Sequence, residues 1–376
     1  TWVENCTFEN NNASSEGGGL AIFCNASTFK DLDVSDNNAG TDGGAIWVIG
    51  HNSMFDNVTS VNNTAARGGS SFVRGDNTTV QNCNISYNKA IYNETKVNES
   101  GIGGALDILG DNCKVINVTS VNNTAERGGS TFIRGDNTIV YNSTFDNNNA
   151  TLRGGGLNIA GDGCIVENVT VNNNNAGLMG GGIYVLANGT QFKNITADNN
   201  QAERGGGAFI QGNNVVVDIG DFSNNKAIFN ESNPDYSGLG GALDIAGDGC
   251  NVTNVNSTNN TAYRGGSTFI RGDNTFIANC TLDDNNATLR GGGLNVAGDK
   301  CTIDNVEINN NYAGTMGGGI YVVSNGTTFT HITADNNQAE RGGAAFINGT
   351  NILVQHGELN NNLARFNESK ENESGL

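Results

Sequence analysis

Proline is almost missing from this chain: its 376 residues include 1 Pro, 2 Trp, 3 Met and 3 His. That scarcity excludes a collagen-like chain and a polyproline linker. Charged residues reach only 15%, too few for a typical disordered polar chain, and hydrophobic residues only 36%, too few for a bundle of large apolar helices. No apolar run approaches the roughly 18 residues of a membrane-spanning helix. No charged-then-apolar leader opens the chain either. Basic residues are scarce, since 19 Lys+Arg against 38 Asp+Glu leave a net charge of −19. Nucleic acid and anionic membranes are therefore disfavoured as partners. What is abundant is glycine, at 54, and asparagine, at 66. Both weaken helices and suit turns and short strands, so the composition predicts an all-β repeat protein.

Self-comparison supplies the period. A Gly-Gly pair, a small residue and an apolar stretch recur thirteen times, with first glycines from Gly17 and Gly43 to Gly317 and Gly342. The spacings are 25 or 26 residues, with a step of 35 once in every five, so five coils make a super-repeat of 137. Counted from the first glycine as zero, position 5 is Ile or Val in every coil and position 22 is always Ala. Apolar or small residues at 3 and 5, 10 and 12, and 15 and 17 show period-2 alternation broken at corners. Three short strands per 25-residue coil predict a parallel β-helix of about 13 coils. The domain reading is one β-helix over residues 1–376, with super-repeats 1–102 (partial), 103–239 and 240–376. Loops are inserted at 91–102, 228–239 and 365–376. At roughly 4.8 Å per rung this predicts a rod of about 60 Å. No polar cap is visible, so the chain reads as an excerpt from a longer rod, and the missing leader then means little.

Two columns of polar residues follow from the coil. Position 20 is Asn throughout, including Asn63, Asn88, Asn123, Asn148, Asn174, Asn200, Asn225, Asn260, Asn285, Asn311 and Asn337. Stacked amides predict a hydrogen-bonded ladder along the axis. Corner aspartates also stack: Asp76, Asp111, Asp136 and Asp162, then Asp248, Asp273 and Asp299. No cofactor is implied. Calcium is the one candidate, at this aspartate column, although neither an EF-hand loop nor a nonapeptide calcium repeat is present.

The Gly-Gly-Ala/Gly/Ser-Leu/Ile run resembles one signature of the chlamydial polymorphic outer-membrane-protein repeats. The companion Phe-x-x-Asn signature stands at Phe8–Asn11, Phe145–Asn148 and Phe222–Asn225. With its Asn and Thr richness, the whole chain resembles the adhesin-like surface proteins of methanogenic archaea. The resemblance implies a right-handed β-helix of the pectin-lyase type and a cell-surface or extracellular location. It implies no ligand, because these motifs build the coil.

Position 4 is the expected outward column of the first strand, and aromatics dominate it: Trp47, Phe72, Phe132, Tyr184, Phe209, Phe269, Tyr321 and Phe346. A row of exposed rings is a candidate binding or assembly face, for glycans or for a neighbouring copy. Arg74, Arg134 and Arg271 lie two residues after rings and within cation–π reach. The same arginines open three Arg-Gly-Asp tripeptides, which recur because the coil does. Asp107 and Asp244 share the column but stand five coils apart, too far to flank one glycosidic bond. Seven of the eight cysteines fall on inward positions, with Cys24 at a corner, and read as small buried hydrophobes. Asn-x-Ser/Thr sequons number 26. Candidates for glycosylation are Asn117, Asn142, Asn168 and Asn194 at position 14, and Asn93, Asn98, Asn230, Asn367 and Asn372 in the loops. The functional expectation is a non-enzymatic, elongated surface protein, adhesin-like or structural, acting by display and spacing. Its partners are copies of itself, other surface proteins or glycans. The alternatives are a self-assembling extracellular filament subunit and a polysaccharide lyase or hydrolase.

Overall fold

The structure is a computed structural model that describes residues 1–365 and Gly375. It is an all-β, right-handed parallel β-helix of about fourteen turns. The chain divides into two compact units, residues 1–191 and 192–376, each a run of the same coil.

Each coil contributes to three parallel sheets. The first holds the short strands that follow the glycine pairs, such as Leu106–Ile108 and Thr131–Ile133. The second holds eight-residue strands such as Asn251–Thr258 and Phe276–Asp283. The third holds short strands that include the invariant alanine, such as Asn149–Arg153, whose Asn149 and Ala150 pair with Asn175–Ala176. Positions 10–12 and 15–17, expected as separate strands, thus run together as one bent strand in many coils. The bend is a single left-handed residue at position 14, for example Asn168 (φ 55°) and Asn254 (φ 56°).

This left-handed backbone gives asparagine its purpose. In the coil that starts at Gly103, positions 0, 9, 14 and 19 are Gly103, Asn112, Asn117 and Asn122, with φ of 61°, 55°, 53° and 58°. The same four positions are left-handed in coil after coil, and only Gly and Asn visit that region cheaply. The second glycine of the pair serves close packing instead. A Cβ on Gly104 would stand 2.7 Å from the carbonyl oxygen of Thr124, in the third sheet of the same coil.

Inside the turns the core is apolar. Leu157, Ile159, Cys164, Val166 and Val171 are fully buried in one coil, and Leu294, Val296, Ile303 and Ile308 in another. Cys83, Cys113, Cys164, Cys250, Cys280 and Cys301 are buried, Cys24 is exposed, and all eight are free thiols. Burial pushes the Cys83 thiol up to about 12 and the Cys164 thiol up to about 11, so both are inert at neutral pH. Among the described residues no helix is long and apolar enough to cross a membrane.

Candidate binding face

Among the described residues, the first sheet carries a column where charge, aromatic surface and burial coincide. Its outward aromatics are not the exposed strip their alternation predicts. Phe72, Phe132, Tyr184, Phe209, Phe269 and Tyr321 are all buried, at 2–8% exposure. Trp47 and Phe346 are half-buried. The rings do point away from the core, but arginines lie over them. Arg67 covers Phe72 at 4.8 Å from the ring centre, Arg204 covers Phe209 at 4.4 Å, and Arg341 covers Phe346 at 5.0 Å. Arg290 sits 5.1 Å from the Tyr321 ring centre and donates from Nη1 to its hydroxyl at 3.1 Å.

Most of this roof comes from a column that alternation within the strand does not reveal. Seven arginines directly precede a glycine pair: Arg67, Arg127, Arg153, Arg204, Arg264, Arg290 and Arg341. Arg74, Arg134 and Arg271 add position 6, so ten of the eleven arginines flank one column of an otherwise acidic chain. The signal was present as a recurrent Arg-Gly-Gly. It is missed when the coil is counted from its first glycine onward.

Two aspartates complete the face. Asp107 and Asp244 have no exposed surface. Arg134 Nε donates to Asp107 Oδ1 at 2.9 Å, and its Nη2 engages Oδ2. Asp244 takes Arg204 Nε at 3.0 Å and Arg271 Nε at 2.9 Å. Burial pushes Asp107 up to about 6 and Asp244 up to about 7, against the pull of Arg134 and Arg204 respectively. These guanidinium groups are therefore engaged inside the chain, including those of two Arg-Gly-Asp tripeptides. A carboxylate with no exposed surface offers no proton to a bound sugar.

The other polar columns are also taken up from rung to rung. In residues 1–191 the buried amides of Asn63, Asn88, Asn123 and Asn148 each donate from Nδ2 to Oδ1 of the next Asn, at 3.0–3.1 Å, ending on Asn174. In residues 192–376 the same bonds join Asn200, Asn225, Asn260, Asn285, Asn311 and Asn337. Each corner aspartate accepts the backbone N–H of the next: Asp111 N–H donates to Asp76 at 2.9 Å, and Asp273 N–H to Asp248 at 2.8 Å. Among the described residues no three His, Cys, Asp or Glu side chains gather as a metal cluster.

The glycosylation candidates fall into distinct settings. Asn117, Asn142 and Asn194 are exposed, and Asn168 is half-buried. Asn117 donates from Nδ2 to Asn82 Oδ1 at 2.9 Å. Asn93 and Asn98 are exposed in the loop 91–102, which contains the 3-10 turn Glu94–Lys96. Asn230 is half-buried and donates to Glu203 at 2.7 Å. Asn367 and Asn372 lie outside the described residues, as does most of the third loop.

Comparison with known proteins bears on the fold. No protein-family model matches the chain, and no curated protein is similar to it. Among solved structures, the chain is similar to the A-module of the mannuronan C-5 epimerase AlgE6 of Azotobacter vinelandii. The TM-score is 0.57 at 14% identity, over 92% of this chain and 91% of that one. A GH87 α-1,3-glucanase catalytic domain matches at TM-score 0.45 and 14% identity, over 90% of this chain and 64% of that one. PfbA, a surface adhesin of Streptococcus pneumoniae, matches at 0.27 and 10%, over 96% and 80%. The likeness to the epimerase module is one of fold.

Proposed function

We propose that this protein is a non-enzymatic β-helix of the cell surface or extracellular space, adhesin-like or structural, that acts by display and spacing. The observation that carries this reading is the sealing of the outward face. Asp107 and Asp244 are fully buried and held by arginines. A glycosidase or lyase needs carboxylates or a base open to the substrate, within a few ångströms of one bond. The repeated coil instead spends its polar groups on its own rungs. What it offers outward is an acidic surface with loops inserted every 137 residues of sequence.

The test is direct. The intact protein is incubated with alginate, polygalacturonate and a neutral α-glucan. Reducing ends, unsaturated uronate absorbance and C-5 configuration by NMR are then followed. No turnover is expected. Turnover that disappears in the Asp107→Asn plus Asp244→Asn variant would establish catalysis and overturn the reading.

A further inference from the structure

The chain has only 3 histidines, and two of them stand on successive rungs of one outward column. His331 and His356 both occupy the left-handed position 14, with φ of 51° and 52°. Both are exposed. Their rings stack with centres 5.2 Å apart and planes 11° from parallel.

A carboxylate on the preceding rung orients the first of these rings. His331 Nδ1 lies 2.9 Å from Asp304 Oδ1, which also accepts from Thr330 Oγ1 at 2.7 Å. The hydrogen bond from His331 holds the Asp304 carboxyl below its ordinary value. An ionised carboxylate can only accept, so Nδ1 carries the proton. In the neutral ring Nε2 is then a bare lone pair on an exposed side chain. Carboxylates that fix the tautomer in this way are the usual partners of metal-binding histidines.

Building the coil does not require this set. The residues 137 positions before Asp304, His331 and His356 are Glu167, Asn194 and Ile219. Asn194 and Ile219 hold the same left-handed backbone, with φ of 54° and 58°. The bend therefore accounts for the backbone angle and leaves two neighbouring imidazoles unexplained.

We propose that His331 and His356 form a surface site for a divalent transition-metal ion of the zinc, nickel and copper class, with Asp304 as the positioning residue of His331. Imidazole nitrogen suits these ions, whereas magnesium and calcium favour oxygen. Metal–nitrogen bonds of about 2.0–2.1 Å place two nitrogens on one tetrahedral ion roughly 3–4 Å apart. The stacked rings reach that spacing by side-chain rotation, which exposed residues make in picoseconds to nanoseconds. Water fills the remaining coordination positions, and the net charge of −19 draws cations to the surface. The site stands independently of the display reading, since it assigns a ligand and no reaction.

Isothermal titration of the intact chain with Ni²⁺ and Zn²⁺ near neutral pH, with Mg²⁺ as comparison, tests the assignment. Saturable binding of one Ni²⁺ or Zn²⁺ per chain is expected, and none of Mg²⁺. His331→Asn and His356→Asn carry the residue most common at this left-handed position, so both should fold. Each should weaken binding about tenfold or more. Asp304→Asn should weaken it about tenfold. In that variant the ring-nitrogen chemical shifts of His331 should lose their Nδ1–H preference, which a merely structural role would leave unmoved. His51→Gln, and Cys24→Ser at the exposed thiol, should leave this binding unchanged. Zn²⁺ should shift the imidazole resonances of His331 and His356 together. The proposal is overturned by no saturable binding, by undiminished affinity in either position-14 variant, or by an equal loss from His51→Gln or Cys24→Ser. It is overturned equally by one ion per two chains with metal-dependent sedimentation, which would make the ion a bridge between copies.

Discussion

Asn88 and Asn123 are 35 residues apart, yet the backbone N–H and Nδ2 of Asn88 both donate to Asn123 Oδ1, at 2.9 and 3.1 Å. Asn63 makes the same two bonds to Asn88 across a 25-residue step, at 2.9 and 3.0 Å. The inserted loop 91–102 therefore leaves the ladder undisturbed. The rungs keep their register because each amide binds its neighbour twice, and the extra residues are extruded at a corner.

Replacing Asn123 by Ala should consequently be among the most damaging single changes. It orphans the backbone N–H of Asn88, takes one of three acceptors from Asn88 Nδ2, which keeps the Ser60 and Ser86 carbonyls, and removes the bond from Asn123 Nδ2 to the Ile85 carbonyl. Each buried group left unsatisfied costs about 1–3 kcal/mol, so a loss of roughly 3 kcal/mol or more is expected. Asn117→Gly, which breaks an exposed bond to Asn82 at a left-handed position (φ 53°) that glycine tolerates, should cost well under half as much. Urea unfolding of both variants, with hydrogen exchange at the Asn88 amide, distinguishes them. Equal losses would show that the ladder has no special weight.

A second expectation concerns Ile219, which occupies the left-handed position 14 with φ 58° and is exposed. A β-branched residue there is strained by about 1–2 kcal/mol, a cost that Asn or Gly largely avoids. Ile219→Asn should raise the thermal midpoint, by roughly 1 kcal/mol of stability. A lowered midpoint would mean that the Ile219 side chain contributes packing greater than its strain.

These two residues show what the sequence discloses. Asn123 is legible because position 20 never varies, and so the ladder could be placed residue by residue. The left-handed positions 9, 14 and 19 were only partly legible, because Asn, Asp, Gly, His, Lys and even Ile share them. The common property is a backbone angle that no side-chain pattern displays directly. The aromatic face was misjudged for a related reason. Alternation correctly turns Phe72 and Phe132 away from the core, but it carries no information on Arg67, which reaches over from the corner before the glycine pair. Burial by a side chain from another column is a tertiary effect.

The sequons give a third test, in a host that glycosylates secreted proteins. Asn93 is exposed, and its Oδ1, not its Nδ2, takes the bonds from Thr95 N–H at 2.9 Å and Thr95 Oγ1 at 2.7 Å. Asn230 donates its Nδ2 to Glu203 at 2.7 Å. Peptide mapping should find glycan on Asn93 and little on Asn230. The reverse pattern, or a mass equal to the bare chain, would remove glycosylation from the account.

The buried aspartates yield the last test. Burial holds Asp107 at about 6 and Asp244 at about 7, both above the ordinary value of 3.8. Between about pH 4 and pH 7 the folded chain then binds more protons than the unfolded chain, so stability must fall as pH rises through that window and level off above it. The slope is at most about 1.4 kcal/mol per pH unit for each group. Asn158 and Asn295 already stand at equivalent places in other coils, so Asp107→Asn and Asp244→Asn should fold. General repulsion in this acidic chain also weakens it as pH rises. The informative quantity is therefore the difference between the parent and the double Asn variant, followed as thermal midpoints from pH 4 to pH 8. The parent should lose more stability across the window. Arg134→Gln provides the sign check, because it removes the main attraction felt by ionised Asp107. It should cost more at pH 8, where that carboxylate is charged, than at pH 5. Equal costs at both values, together with parallel profiles for the Asn variant, would mean that these carboxylates do not titrate in this range.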